Sequence, residues 1–125
     1  MRDFRTLKVW ERAHRLTLDV YVATRDYPRE ELYGLTSQTR RASMSIPANI
    51  AEGCGRYGEK ELSRFLEIAS GSATELEYHL LLARDLHFLD ATRYHRLDGE
   101  VREVKQMLTA FIQKLRPDRK RRQDR

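Results

Sequence analysis

The residues best suited to catalysis or metal binding in this chain are a few histidines and glutamates and one cysteine. A di-iron site in a helical protein needs two Glu-x-x-His pairs and two further glutamates on facing helices. The chain has one such pair, Glu11 and His14, while Glu75 and His79 are one residue too far apart. We therefore interpret His14 as a surface histidine and predict neither a metal site nor a cofactor.

Nucleophilic and nuclease chemistry also lack their usual patterns. Cys54 lies between Gly53 and Gly55, where we expect an exposed loop, and no histidine lies near it in sequence to act as a base. No arginine is followed four to six residues later by histidine, the spacing of helical toxin-type nucleases. The segment GCGRYG lacks the Lys-Ser/Thr pair of a phosphate-binding P-loop. These observations predict a protein without enzymatic activity.

Positive charge remains as the main functional signal. The segment 36–51 contains two adjacent arginines and no acidic residue, and three further cations follow a glycine-rich break at steps of four. We predict that these side chains bind nucleic acid through its phosphates, together with a basic C-terminal run. The candidate contacts are Arg40, Arg41, Arg56, Lys60, Arg64, Arg119, Lys120, Arg121 and Arg122. Pairing of Arg40 and Arg41 with acids on neighbouring helices is the alternative.

The net charge of +5 is concentrated at the C-terminus. Seven Lys or Arg and two Asp lie from Lys114 to Arg125, which leaves 17 basic and 17 acidic residues in the rest of the chain. No apolar residue other than Pro117 follows Leu115, so we predict one domain over residues 1–116 and a disordered basic tail over 117–125. The tail is either an electrostatic arm for phosphates or a solubilising terminus.

Four segments have apolar residues at the three- and four-residue steps of a helix. They cover about residues 7–24, 30–51, 59–88 and 91–115, and the fourth follows Asp90, a favourable N-cap. No segment alternates with a period of two. We therefore predict an all-α protein, an antiparallel up-down four-helix bundle. Pro47 lies inside the second helix, where it frees the carbonyl of Ser43 and predicts a kink.

Several apolar residues lie off the main stripes of the first and third helices. They are Val9, Leu16, Leu18 and Val22 in the first, and Ile68, Leu81 and Leu82 in the third. A second apolar face predicts self-association. The chain also contains one cysteine and no apolar run of 18 residues, which predicts a cytoplasmic protein with no membrane span.

Long stretches of the sequence resemble one known family. These are FRTLKVWERAHRLTLDVY, YPREELYGLTSQTRRASMSIPANIAEGCGR and FLEIASGSATELEYHL. They are similar to the 23S rRNA intervening sequence proteins, which are encoded within extra segments of bacterial large-subunit ribosomal RNA genes or elsewhere in bacterial genomes. The resemblance covers about residues 4–115.

The resemblance implies a four-helix bundle that assembles into a ring, a homopentamer. It also implies a relation to the accessory variability determinant proteins of diversity-generating retroelements, pentameric bundles that bind nucleic acid and a reverse transcriptase. By this analogy the chain is expected to be an RNA- or DNA-binding accessory protein. The alternative is a scaffold that binds a polymerase or another protein without touching nucleic acid. Trp10, Tyr21 and Tyr57 are then candidate anchors for that partner, although a core position is favoured for Trp10.

Overall fold

The computed structural model describes residues 2–116, which form four α-helices and no strand. The helices are α1 (Lys8–Thr24), α2 (Leu35–Cys54), α3 (Glu59–Asp85) and α4 (Ala91–Lys114). Short 3-10 turns precede the first two of these helices, at Phe4–Thr6 and Arg29–Glu31. The predicted all-α class is confirmed, while the predicted tail, 117–125, lies outside the described residues.

Two helix ends differ from the prediction for local reasons. The second helix begins at Leu35 rather than near residue 30, because Glu31 caps it: its Oε2 accepts the Leu35 backbone N–H at 2.9 Å. The third helix ends at Asp85, three residues early. There His87 takes a positive φ of 64°, and the Phe88 N–H donates to the Ala83 carbonyl at 2.8 Å, which closes the helix.

Contacts between neighbouring helices run in opposite chain directions. On α1 and α2, Thr17 contacts Ser43, and Thr24, further along α1, contacts Arg40, which lies earlier on α2. The other neighbouring helices show the same reversal. The contacts are Ser45–Ser72 and Gly53–Phe65 between α2 and α3, and Glu77–Lys105 and Arg84–Tyr94 between α3 and α4. Between α4 and α1, with the residues just after α1, they are Arg12–Glu103 and Asp26–Arg93. Each helix is therefore antiparallel to its sequence neighbours, and α1 packs beside α4.

The core corrects part of the self-association argument. Val9 and Leu16 are buried inside the bundle, and Leu81 and Leu82 pack against its core, so these residues need no second copy of the chain. Leu18, Val22 and Ile68 remain exposed. The sequence pattern placed too many residues on an outer face because a bundle helix contacts two neighbours and buries a wide stripe.

The carbonyl freed by Pro47 has a partner on another helix. Pro47 has no N–H to donate to Ser43, four residues earlier, yet α2 continues without a break from Leu35 to Cys54. The buried Thr17 hydroxyl on α1 lies 3.0 Å from the Ser43 carbonyl oxygen and 2.9 Å from that of Ala13. The Ser43 side chain does not serve this carbonyl, because Ser43 Oγ donates to Arg40 O. Thr17 therefore couples α1 to the proline in α2.

Replacing Thr17 with valine is expected to lower the free energy of unfolding by about 1 to 3 kcal/mol, because the Ser43 carbonyl then stays buried without a donor. Chemical denaturation of the Thr17→Val variant measures this change. Thr39→Val is the matched control: its buried hydroxyl bonds only the Leu35 carbonyl, which a helical N–H also serves. Adding Pro47→Ala restores a backbone donor and should shrink the effect of Thr17→Val. Equal losses in both valine variants would contradict the assignment.

Candidate nucleic-acid interface

The two ends of the bundle differ in charge. One end, which we call the terminal end, consists of residues 2–8, 52–67 and 112–116 and carries eight Lys or Arg against five Asp or Glu. The opposite end, residues 22–35 and 82–96, carries five of each. Arg116, the last described residue, contacts Glu67 of α3. The predicted basic tail therefore leaves the bundle at its more positive end.

Arg56 and Arg64 are brought together at the terminal end by one aromatic ring. Their guanidinium carbons lie 5.3 Å and 4.6 Å from the centre of the Phe65 ring. Each arginine also pairs with a carboxylate one helical turn away, Arg56 with Glu52 at 3.0 Å and Arg64 with Glu61 at 2.9 Å. The hydrogen bond with Arg64 is the main cause that lowers the pKa of the Glu61 carboxyl. Both cations are thus held in place while remaining exposed to solvent.

Lys60 lies one turn before Arg64 on α3, since that helix begins at Glu59. The predicted common face therefore holds for Lys60 and Arg64, whereas Arg56 precedes the helix and joins them through Phe65. Lys60 is exposed and has no ion pair with a carboxylate of residues 2–116.

A groove of about 400 Å³ runs between the first turns of α3 and the end of α4. Its carboxylates are ion-paired to arginines, in the pairs Glu59–Arg2, Glu61–Arg64 and Glu67–Arg116. Lys60 lines the groove as a cation without such a pair. Ser63 also lines it: the residue is only 6% exposed, and its Oγ has no hydrogen-bond partner within residues 2–116. The groove therefore brings an ammonium group without an ion pair, that of Lys60, next to a buried hydroxyl without a hydrogen-bond partner, that of Ser63.

Arg40 and Arg41 lie elsewhere. At 1.5 Å per helical residue, about 20 Å of α2 separates Arg40 from the last residue of the helix, Cys54. Arg40 donates to the Thr24 hydroxyl at 2.8 Å and stacks 4.7 Å from the centre of the Tyr21 ring, so its partners are not acids. Arg41 is exposed and forms no ion pair with a carboxylate in the described part of the chain. The candidate contacts that fall within residues 2–116 thus form two separate groups.

The sequence predicted an exposed loop at Cys54, and this prediction is wrong. Cys54 is the last residue of α2 and is buried, and its carbonyl accepts the Arg2 backbone N–H at 2.9 Å. Burial raises the pKa of its thiol, the opposite of what a catalytic nucleophile needs. The glycine-rich break begins after Cys54 rather than before it, because Gly53 is still helical.

A carboxyl pair between α1 and α4 has no counterpart in the sequence analysis. The pKa of Glu100 is raised to about 7, mainly by burial of its carboxyl and secondly by a hydrogen bond with Asp19. The two residues are 81 positions apart in the chain, so only the packing of α1 against α4 reveals them as a pair. The sequence also did not single out Phe65 or Ser63 as site residues. Phe65 fits the apolar stripe of α3, and Ser63 is one small residue among several in that helix. Their places beside charged side chains depend on how the helices pack.

Two negative findings apply to residues 2–116. No cluster of three or more His, Cys, Asp or Glu side chains has the arrangement to hold a metal ion. None of the four helices combines the length and the apolar character needed to span a membrane.

Comparison with known proteins gives a family and a fold. A family model described as "23S rRNA-intervening sequence protein" matches residues 5–110. The chain is also similar to a crystal structure from Bacteroides thetaiotaomicron, described as a protein of unknown function from the S23 ribosomal protein family, at 1.70 Å resolution. The two share 21% identity with a TM-score of 0.75, over 83% of this chain and 97% of the other. No curated protein matches the chain. Neither description names an enzymatic activity.

Proposed function

Because the chain belongs to the 23S rRNA-intervening sequence protein family, we propose that it is a non-enzymatic, nucleic-acid-binding accessory protein of the bacterial cytoplasm. In this proposal it works as a ring of identical subunits, a homopentamer, and binds RNA or DNA through phosphates. The observation that carries the proposal is the charge of the terminal end. There Arg56, Lys60 and Arg64 lie at the same end of the bundle as Arg116, from which the basic tail, 117–125, continues.

A ring supports this function by avidity. Each subunit offers only a few exposed cations at its terminal end, and a single bundle would bind weakly. In a closed ring, the terminal ends of all subunits face the same side, so one nucleic acid can contact several of them at once. Arg40 and Arg41 would contribute only to a ligand that extends about 20 Å along α2.

The surface where subunits meet is the outer face of α1 and α2. Leu18 is 54% exposed and Met44 43% exposed, and the Tyr21 hydroxyl lies 3.2 Å from the Met44 sulfur. Arg40 stacks on the same Tyr21 ring. Protein interfaces are enriched in tyrosine, methionine and arginine and depleted in acidic residues. This face has the first three, and segment 36–51 supplies no acidic residue to it.

Neutralising the terminal end tests the proposal. The variant Arg56→Gln, Lys60→Gln, Arg64→Gln is expected to bind structured RNA and duplex DNA at least about tenfold more weakly at low salt. Its plot of log affinity against log salt should be shallower by about 2 to 3 units, because three phosphate contacts are lost. Fluorescence anisotropy with labelled nucleic acid across a salt series measures both quantities.

The control removes the same charge from the opposite end. The control residues are Arg29, Arg84 and Arg93, which resemble the test residues in their ion pairing. Like Lys60, Arg29 forms no ion pair within residues 2–116. Like Arg56 and Arg64, the other two are paired: Arg84 pairs with Asp85 and stacks on Tyr94, and Arg93 pairs with Asp26. Their glutamine variant should keep the wild-type affinity and slope. A separate variant with Arg119, Lys120, Arg121 and Arg122 changed to glutamine shows whether the tail acts as an electrostatic arm. A flat salt response of the wild-type protein would refute nucleic-acid binding.

A protein-interaction scaffold is the second candidate function. The same α1–α2 face favours it, since Tyr21 and Met44 are equally suited to a foreign protein such as a reverse transcriptase. Trp10 packs against the core, as the sequence favoured, and its ring lies 4.9 Å from the Phe4 ring and 5.0 Å from the His14 ring, so it is a poor anchor. Competition between self-association and partner binding, measured by light scattering, distinguishes the two uses of this face.

A further inference from the structure

An exposed aromatic ring stands next to the cations of the terminal end. Tyr57, in the connector between α2 and α3, is 82% exposed and directly follows Arg56. It precedes Glu59, the first residue of the groove, by two positions. Its neighbour Gly58 has a φ of 87°, and a Cβ added there would meet no atom within 4 Å. The connector therefore holds the ring away from the core without packing it against other residues.

The groove beside this ring contains a buried polar group without a protein partner. Ser63 Oγ is shielded from solvent and forms no hydrogen bond within residues 2–116. An unsatisfied buried hydroxyl is uncommon in folded proteins and destabilises them, so its presence needs an explanation. Lys60 lines the same groove without a carboxylate partner in the described chain. The N-cap residue of α3, Gly58, has no side chain to accept the first N–H groups of this long helix, and the residues of that first turn, Glu59 and Lys60, line the groove.

We propose that the ligand of the terminal end is single-stranded nucleic acid, with an unpaired base stacked on Tyr57 and a phosphate in the groove beside Lys60 and Ser63. This inference rests on the proposed function and specifies its ligand class. Phosphate contacts alone do not distinguish single strands from duplexes, since both carry the same charged backbone. An exposed aromatic ring does, because only an unpaired base presents its face for stacking.

The other cations fit this arrangement. Arg64 also lines the groove, and its guanidinium reaches the Phe65 ring on which Arg56 stacks. A strand that passes the connector at Tyr57 and enters the groove therefore meets Arg56 and Arg64 beside Lys60. Arg116 at the far wall of the groove is ion-paired to Glu67 and closes it rather than offering a free charge.

The test compares Tyr57→Ala in the full chain with the wild-type protein. Anisotropy is measured with a labelled oligouridylate, an oligothymidylate of the same length and a duplex of the same length. We expect the wild-type protein to prefer the single strands. Tyr57→Ala should weaken their binding by about 5- to 150-fold, because one stacked base contributes on the order of 1–3 kcal/mol. Tyr57→Phe should retain it. The control is Tyr33→Ala, which removes a ring that is 91% exposed at the opposite end.

Ser63→Ala provides an independent readout. It should weaken single-strand binding by about tenfold, the contribution of one hydrogen bond to a charged group. It should not lower the free energy of unfolding, because it removes a hydroxyl that no protein group satisfies. Thr74→Ala, which removes a hydroxyl bonded within α3 outside the groove, is its control and should leave binding unchanged.

The outcomes separate this inference from the function on which it rests. Equal binding of duplex and single strands, with no effect of Tyr57→Ala, would overturn the single-strand assignment and leave nucleic-acid binding intact. A wild-type protein that binds none of the three probes would refute the proposed function itself. Loss of stability in Ser63→Ala would show that the hydroxyl has a structural partner and would overturn its role in the groove.

Discussion

Replacing Gly53 with alanine is expected to lower the free energy of unfolding by about 1 to 3 kcal/mol, as overpacking in a close contact does. The reason is the close approach of α2 and α3. A Cβ at Gly53 would lie 2.9 Å from Phe65 Cβ and 3.1 Å from Leu62 Cδ1. Phe65 Cβ is attached directly to the α3 backbone and cannot swing away, and the Leu62 side chain is buried with little room to move, so the helices must separate. Thermal or chemical denaturation of Gly53→Ala measures the change.

Two other helical glycines provide controls of opposite sign. An added Cβ at Gly71 in α3 or at Gly99 in α4 meets no atom within 4 Å. There alanine should raise the free energy of unfolding by up to about 1 kcal/mol, because glycine is the poorer helix former. A stabilising effect of Gly53→Ala similar to that of these controls would show that α2 and α3 are not held so closely together.

The Gly53 contact also bears on the candidate interface. Phe65, which Gly53 allows close to α2, is the ring on which Arg56 and Arg64 stack. A shift of Phe65 in Gly53→Ala should therefore weaken nucleic-acid binding as well, at temperatures where the variant is still folded. Gly71→Ala should leave binding unchanged, since Gly71 touches neither arginine nor ring.

Placing glutamates at Leu18 and Met44 is expected to convert the proposed ring into single chains. Both side chains are largely exposed on the bundle, so the change should leave each chain folded, but two buried, unpaired carboxylates would prevent subunits from meeting there. Light scattering should give the wild-type protein a mass five times 14.8 kDa and the Leu18→Glu, Met44→Glu variant a mass near 14.8 kDa.

Two exposed leucines at the opposite end serve as the control for assembly. Leu32 and Leu86 resemble Leu18 in exposure, and their change to glutamate alters the charge by the same amount. That variant should keep the wild-type mass. If the Leu18→Glu, Met44→Glu variant also keeps it, the outer face of α1 and α2 is not the subunit interface. A wild-type mass of one chain would refute the ring.

The sequence was sufficient for the fold class because helical periodicity is local. The fourth helix illustrates this: Asp90 caps it as predicted, with Oδ1 accepting the Arg93 N–H at 2.8 Å, and its three- and four-residue stripe is buried. Helix ends were less predictable where a side chain or an unusual φ decided them. Glu31 delayed the start of α2, and His87 advanced the end of α3.

The partners of individual side chains were not readable from the sequence. A freed carbonyl behind Pro47 was expected, but the donor proved to be Thr17 on another helix. Cys54 looked exposed because glycines flank it, yet one of them, Gly53, allows α2 and α3 to pack closely beside it. In the first case the local sequence shows that a carbonyl needs a donor, and in the second that the backbone is flexible. The neighbouring helix determines which donor is used and whether the cysteine is buried.

For function, the sequence by itself determined the inventory: a balanced body, a positive C-terminal run, and cations in segments 36–51 and 56–64 without the motifs of a catalyst. Only the tertiary structure decided which of these cations lie close together. It separates Arg40 and Arg41 from the other cations and joins Arg56 to Arg64 across Phe65. The physical reason is that charge composition adds along the chain, whereas an electrostatic site depends on distances between helices that are remote in sequence.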